Sequence, residues 1–500
     1  MSYELRVTSY ELRVTSYELR VTSYELRVMS YKSKLKGSAL VYALVIMSAV
    51  LIVLSSMIQY IASQIKYSSY QASREESLQI AEAGIYFYRW YLAHEVEGKT
   101  AAQVKDFWQN GNPYGVDSPY EKEYMDPQGA GIGKFSISVT PPDPDSTIVI
   151  VQSTGWTYKN PNSQRVVKVR FRRPSWSEFS VLANADIRFG DGTDVYGPLH
   201  SNGGIRFDGV AHNVVSSNKT TYVDPDTLIN RPGVWTAWPG EYNTNMGSNV
   251  FLAGKDFPVP EKDFSGVIAD LALMKQAAND SGTYFDDSGA GRHIILKTDG
   301  NFDIRTVQNY DQCFNHITSY SGGWQTYAIP DSGVIFVEDN VWLEGKVNGD
   351  KVTVVAADLV GGSSPNVFIE HDIEYTNYDG SDIIGIIAEN NIEIIRNSEN
   401  DLRIDGALIA QSGRVGRLHY QWYCKTWWWW ICIQACSCND HKNTITTYGS
   451  MATNKRYGFA YTDGTGYTNR NLIYDNNLLY YPPPYFPTGT EYSLDLWDEM

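Results

Sequence analysis

The sequence predicts a mainly β protein with a long N-terminal α-helix, followed by a small antiparallel sheet and then a parallel β-helix. Three observations carry this. From Ser38 to Ile65 there are 28 residues without a charge, and no proline occurs before Pro113. Residues 133 to 174 alternate apolar and polar side chains in three runs separated by turn residues, the pattern of strands with one buried face. Beyond Trp176 the texture changes to brief apolar triplets divided by Asn, Asp and Gly, and the 36 Tyr, 14 Trp and 41 Gly suit many short strands joined by turns.

The first 28 residues are four copies of one heptad, MSYELRV and then TSYELRV three times. Folded repeats diverge, so this identity reads as a repeat in the coding DNA, and Met29 offers a second start. Residues 1–28 are therefore set aside as not functional. The apolar run behind them is long enough to cross a bilayer, since about 20 helical residues suffice. It is too long for a removable secretory signal and has no small-x-small cleavage site after it. Lys32, Lys34 and Lys36 keep its N-terminal side in the cytoplasm, so the rest of the chain lies outside a cytoplasmic membrane. Past Ile65 the apolar positions Ile80, Ala81, Ile85, Tyr88 and Leu92 fall near helical spacing, which predicts one helix over 38–95.

A short basic stretch ending in Gly, then an apolar helix, then "LQIAEAGIYFYRWYL" at residues 78–92 resembles the type IV pilins, and in detail the PilX-type minor pilins. The resemblance implies a prepilin leader, residues 29–37, cut between Gly37 and Ser38 by a prepilin peptidase, with the new amino group of Ser38 methylated. It also implies a pilus assembly platform and other pilin subunits as partners, and a location in the membrane, on a pilus or at the cell surface. Major pilins carry Glu at the fifth mature position, where this chain has Tyr42. An unpaired charge in an apolar filament core is costly, so Tyr42 suits a minor pilin or pseudopilin. Loss of residues 1–37 would remove seven basic and four acidic groups and leave a formal charge of −19 in place of −16.

Residues 96–175 read as loop and small sheet. Residues 176–500 read as a β-helical ectodomain, because strands of three to five residues with polar corners stack rung on rung. The pieces "VYGPLHSNGGIRFDG", "GKVNGDKVTVVAADL" and "IIGIIAENNIEI" are similar to the β-helical ectodomain of some bacterial PilX-like proteins. An amphipathic helix within 259–282, with Val267, Leu271, Met274 and Ala278 on one side, interrupts as a lid, and "PPPYFP" at 482–487 reads as a cap.

The chemistry-bearing candidates are few. His200, Asp191 and Asp194 occupy Asn/Asp/Gly-rich stretches that serve as turn corners, so no catalytic residue, metal ligand or cofactor is assigned. "RVVKVRFRR" is the nearest approach to a basic cluster and reads as a strand face, which with the acidic net charge excludes nucleic acid as a partner. The Trp/Cys-rich extension 418–442 is the strongest contact candidate. Alternation sends Trp427 and Trp429 to one side and Trp428 and Trp430 to the other, so some must be exposed or meet a partner. In an oxidising space Cys424, Cys432, Cys436 and Cys438 are disulfide candidates with three pairings, and Cys313 is left as a buried thiol. The expected function is adhesion or filament assembly through this head, with a surface or polysaccharide ligand. The alternative is a membrane-tethered carbohydrate-active or carbohydrate-binding β-helix protein, which carboxylates meeting in a groove beside Trp residues would favour.

Overall fold

The computed structural model describes residues 38–99, 101–143, 146–238, 249–264, 267–420, 423–436, 440–489 and 491–500. The heptads, the leader with Gly37, and Cys438 lie outside the described residues, as do the side chains of Ser38, Cys424, Trp427, Cys432 and Cys436. The chain is mainly β behind one long helix, α1 (Ser38–Val96), and divides into two compact units, the second spanning Tyr70–Met500.

In the first unit α1 is apolar on every side. Leu44, Ile46, Val50, Leu54, Ile58 and Ile61 are each 49 to 67% exposed. Ser48 and Ser56 donate their hydroxyls to the carbonyls of Val45 and Ile52, so these two hydroxyls need no water. A helix apolar all round is stable only where other apolar matter surrounds it, lipid or further helices. It fits a single-pass membrane anchor.

In the second unit α1 becomes one-sided. Ile80, Ala81, Ile85, Tyr88, Leu92 and Val96 are buried against the inner faces of β1 (Tyr120–Met125), β2 (Gly131–Thr140), β3 (Ile148–Thr157) and β4 (Arg165–Arg172), and α2 (Ala101–Asn110) adds Val104 and Phe107. The alternation read from sequence is realised as Phe135, Ile137 and Val139 on β2, Val149 and Val151 on β3, and Val167, Val169 and Phe171 on β4. Helix and sheet meet closely because the residues between them are small: Ser73, Ser77, Ala81 and Gly84 face Ser153 and Gly155. The sheet is antiparallel in the order β1-β2-β3-β4 and closes with the C-terminal strand Ser493–Glu499 against β4, a return that the boundaries drawn from sequence do not contain. Arg165 pairs with Glu499, Arg170 with Asp495 and Arg172 with Glu178, so three of the five basic groups of this stretch are paired within the fold.

The remainder stacks short parallel strands in rungs. One inward row runs Ile335, Val354, Ile386, Leu408, Met451, Val181, Leu199, Val215, each in register with the next. Chain order and spatial order differ. The first rung after the small sheet (Val181–Ala183) abuts the last one (Met451 side), and the chain stacks outward to Lys255–Asp256 before resuming with Thr283–Phe285 beside Val334–Val337. Between these lies α3 (Val267–Asp280), whose Leu271, Met274 and Ala278 are buried on the adjacent outward row of Phe336, Val355, Ile387, Ile409, Ala452 and Leu182. That row is apolar because it is covered, by α3 and by the proline-rich segment, where Thr353 donates its hydroxyl to the Pro484 carbonyl at 2.6 Å.

Besides a short hairpin, Thr221–Val223/Asn230–Pro232, two larger ones leave the rungs among the described residues. The long hairpin Asn301–Asp311/His316–Ala328 lays Val307, Tyr310, Ile317 and Tyr320 over an outward row containing Trp342 and Phe368. The tryptophan hairpin, Tyr423–Trp428/Ile431–Cys436, lies between Arg417 and Asp440 in the chain. These two are buried and joined by a bidentate pair, with both nitrogen–oxygen distances 2.7 Å, so the departure and return of the excursion are clamped together.

Candidate functional site

The sequence-derived candidates fall in three places. Tyr42 is exposed on the apolar part of α1. Trp428, Trp429 and Trp430 are 64, 77 and 73% exposed, joined by exposed Ile431 and Ile433. The expected strand alternation does not extend through them: the chain reverses at Trp429 and Trp430, with Trp429 at φ 56°, so the four tryptophans are not one strand. Cys313 corrects the cysteine reading. It is disulfide-bonded rather than a free thiol, and with five cysteines in the chain its partner is one of Cys424, Cys432, Cys436 and Cys438. Cys313 sits in the tip of the long hairpin, where its amide donates to Asp311. The bridge therefore ties that tip to the extension, which proximity in sequence did not suggest.

His200 lies in the outward row next to Leu182 and is buried. Its ring nitrogens meet Ser216 Oγ at 3.0 Å and Asn202 Oδ1 at 3.1 Å. Burial, against the help of Asn202, lowers its pKa, so it is a neutral structural group. Asp191 closes its own turn on the Gly192 amide and Asp194 meets His212.

A cleft that no sequence motif announced lies beside the long hairpin. Parallel register puts His293 opposite Trp342 and Trp342 opposite Phe368 on the outward face, and two residues further along the same strands stand Glu344 and Glu370. The hairpin contributes His316 and Tyr320 from above, and the turn after the next rung contributes His371. The enclosed volume is about 130 Å³. His293 Nε2 lies 3.0 Å from Glu344 Oε1, His316 Nδ1 lies 2.9 Å from Glu370 Oε1, and His371 Nδ1 lies 2.9 Å from Glu399 Oε1. Tyr320 OH meets the other nitrogen of His293 at 2.8 Å. Burial disfavours the charged form of His371, but Glu399, Glu344 and Glu370 outweigh it and raise its pKa. Burial likewise pushes Glu344 up, and the hydrogen bond and charge of His293 bring it below its ordinary value. The one local hint was the acid-flanked histidine in "FIEHDIE"; the remaining members are separated by tens of residues and meet only through the rungs.

One further acid stands close by. Glu393, next in the row after Phe368, is buried where the hairpin tip and the start of the extension meet. Burial pushes its pKa up to about 7, although Asn315 Nδ2 at 2.9 Å and Tyr420 OH at 3.2 Å both donate to it.

No protein-family model matches the chain, and no curated protein matches it. Among solved structures, the competence-associated pilin ComZ from Thermus thermophilus aligns over 86% of this chain and 97% of its own, at 13% identity and a TM-score of 0.30. That superposition is too loose to assign a role to any residue of this chain.

Proposed function

We propose that the protein is a membrane-anchored surface subunit of a type IV pilus-like apparatus, a minor pilin or pseudopilin whose β-stacked head makes contacts. The carrying observation is the two-fold character of α1: apolar on every side and exposed before Ser69, one-sided and packed on a sheet beyond Tyr70. A helix of that kind can reside in lipid and pass into a bundle of similar helices without refolding its outer part. On this reading residues 29–37 are a leader removed by a prepilin peptidase, Ser38 becomes the methylated N-terminus, and assembly involves a platform and other pilins. Tyr42 supplies no carboxylate to pair with a neighbour's amine, which favours a low-abundance position. The exposed Trp428, Trp429 and Trp430 are the adhesive contact candidates. The head is proposed to have no catalysis of its own.

The carbohydrate-active reading finds one favourable observation, Glu344 and Glu370 beside Trp342 and Tyr320. Both carboxylates are engaged by histidines, Glu344 by His293 and Glu370 by His316. Single cysteines placed along the exposed helix, at Val45, Met47, Ile52 or Ile58, test the proposal. Disulfide-linked multimers in the membrane and in sheared surface material are expected. Exclusively monomeric protein at every position would overturn it.

A further inference from the structure

The tryptophan hairpin ends in a knob of apolar side chains. Between Lys425 and Asp440 fourteen consecutive residues carry no charge, in a chain where one residue in five does. Trp428 pairs with Ile431 across the hairpin and the chain reverses at Trp429 and Trp430, so three indoles crowd its end. Trp428, Trp429, Trp430, Ile431 and Ile433 are all more than half exposed. The base of the excursion, by contrast, is held firmly. Arg417 and Asp440 join its departure to its return, and Tyr420 donates to the buried Glu393 at 3.2 Å. An apolar end on an anchored base is fit to be pushed into something apolar.

The shape selects what that is. A stable protein partner covers about 20–30 residues a side on a complementary face, and five side chains around a turn offer no such face. A sugar needs an open aromatic plane with placed polar groups beside it. Here the rings of Trp429 and Trp430, 5.2 Å apart, are inclined at 66°, and exposed isoleucines follow them. The headgroup boundary of a bilayer requires neither a face nor a plane. It yields to a convex knob, and indole sets its apolar body among acyl chains while its N–H stays with polar headgroup oxygens. The reach agrees. From Thr426 to Trp429 three strand steps of about 3.3 Å span about 10 Å, and interfacial segments bury to about 5–10 Å. The two strands also satisfy one another's backbone groups, as burial in lipid demands.

We propose that the tip of the tryptophan hairpin inserts into the interface of a phospholipid bilayer, giving the head a lipid contact separate from α1. This names a partner class for the contact candidates of the proposed surface subunit and rests on that reading for access to a membrane. Because the tip itself carries no charge, the contact is apolar and needs no anionic lipid.

The test reconstitutes the full chain in phosphatidylcholine vesicles containing a diazirine-bearing phosphatidylcholine, with an excess of protein-free vesicles of the same composition, and maps the lipid adducts formed on irradiation by mass spectrometry. Adducts are expected on α1 within 38–69 and on the hairpin within 426–436. Trp429→Ser combined with Trp430→Ser should lower the hairpin yield at least tenfold and leave that of α1 unchanged. Ile433→Asp should do the same and keeps the test sharp should the double variant misfold. Trp324→Ser, at an exposed ring of the long hairpin, should change neither yield. Salt raised to about 0.5 M should leave hairpin labelling unaltered, since screening acts on charges. A labelled α1 beside an unlabelled hairpin, the result a protein or glycan partner would give, would overturn the lipid contact and leave the anchor standing. An unlabelled α1 would remove the anchor reading and this proposal with it. Hairpin labelling no stronger than that around Trp324, lost in salt, or indifferent to both tip variants would also overturn the proposal.

Discussion

Replacing Gly155 by alanine tests how the helix is seated on the sheet. A β-carbon added at Gly155 would lie 3.0 Å from Ala81 Cα and closer still to the Ser77 carbonyl oxygen and the Ala81 amide nitrogen. All three are backbone atoms of α1, so no side chain can swing aside. Carbon atoms in contact rest at about 3.5–4.0 Å, so the helix must lift by about 0.5–1 Å, a gap that already forfeits a quarter to a half of each contact it makes. The row Ile80, Ala81, Ile85, Tyr88 and Leu92 all pack through this interface. Forced insertions of this kind cost about 1–3 kcal/mol. Glycine to alanine in a strand otherwise gains roughly 0.5–1 kcal/mol, so the opposite sign is expected where nothing is touched. Gly323, in the long hairpin with open space around it, is that control. Gly84→Ala is intermediate, because its β-carbon would meet chiefly the Ser153 hydroxyl and the Phe135 ring, which can move, and helix propensity favours alanine by about 1 kcal/mol. The assay is denaturant unfolding of the full chain in detergent, with hydrogen exchange over residues 78–92 as the local readout. The expected order of stability is Gly323→Ala at or above wild type, then Gly84→Ala, then Gly155→Ala. A Gly155→Ala protein as stable as wild type, with unchanged exchange in the helix, would refute the reasoning.

Arg417→Met leaves Asp440 buried without its partner and should destabilise the clamp by about 3–5 kcal/mol, read as early proteolysis within 418–440; Arg417→Met with Asp440→Leu should recover most of the loss. Glu393 titrates at about 7 when folded against 4.5 ordinarily, so the folded state binds its proton more tightly. Its own contribution to stability is then fully present below about 4.5 and is lost, by about 3 kcal/mol, as pH rises through 7, and Glu393→Gln should flatten that slope and stabilise the protein at pH 8. A slope unchanged in Glu393→Gln would contradict the placement of this acid. Non-reducing peptide mapping should recover Cys313 joined to a peptide containing Cys424, Cys432, Cys436 or Cys438, and free Cys313 would contradict the bridge.

Much of the architecture was legible because it follows from local pattern. The uncharged run after Lys36 required an apolar surrounding, and the period-two alternation of "GKFSISV" and "RVVKVRF" became buried faces of β2 and β4. Leu271, Met274 and Ala278 of α3 fell on one buried side. What escaped depends on distant pairing. That Met451 stacks on Val181, or that Ser493–Glu499 returns to β4, is set by which rung has a free edge, and nothing within either segment encodes it. The cleft is a further case: His293 and Glu344 are ordinary strand residues and His371 an ordinary turn residue until the stacking of rungs brings them to one cleft. The tryptophan run misled through an assumption of strand continuity, when the chain turns at Trp429 and Trp430.

The N-terminal residue of protein extracted from native membranes tests the central claim most directly. Mass spectrometry should find a chain beginning at methylated Ser38, with the apolar part of α1 intact behind it. A chain that still carries Lys32 to Gly37, or one that begins beyond the apolar helix, would contradict the account.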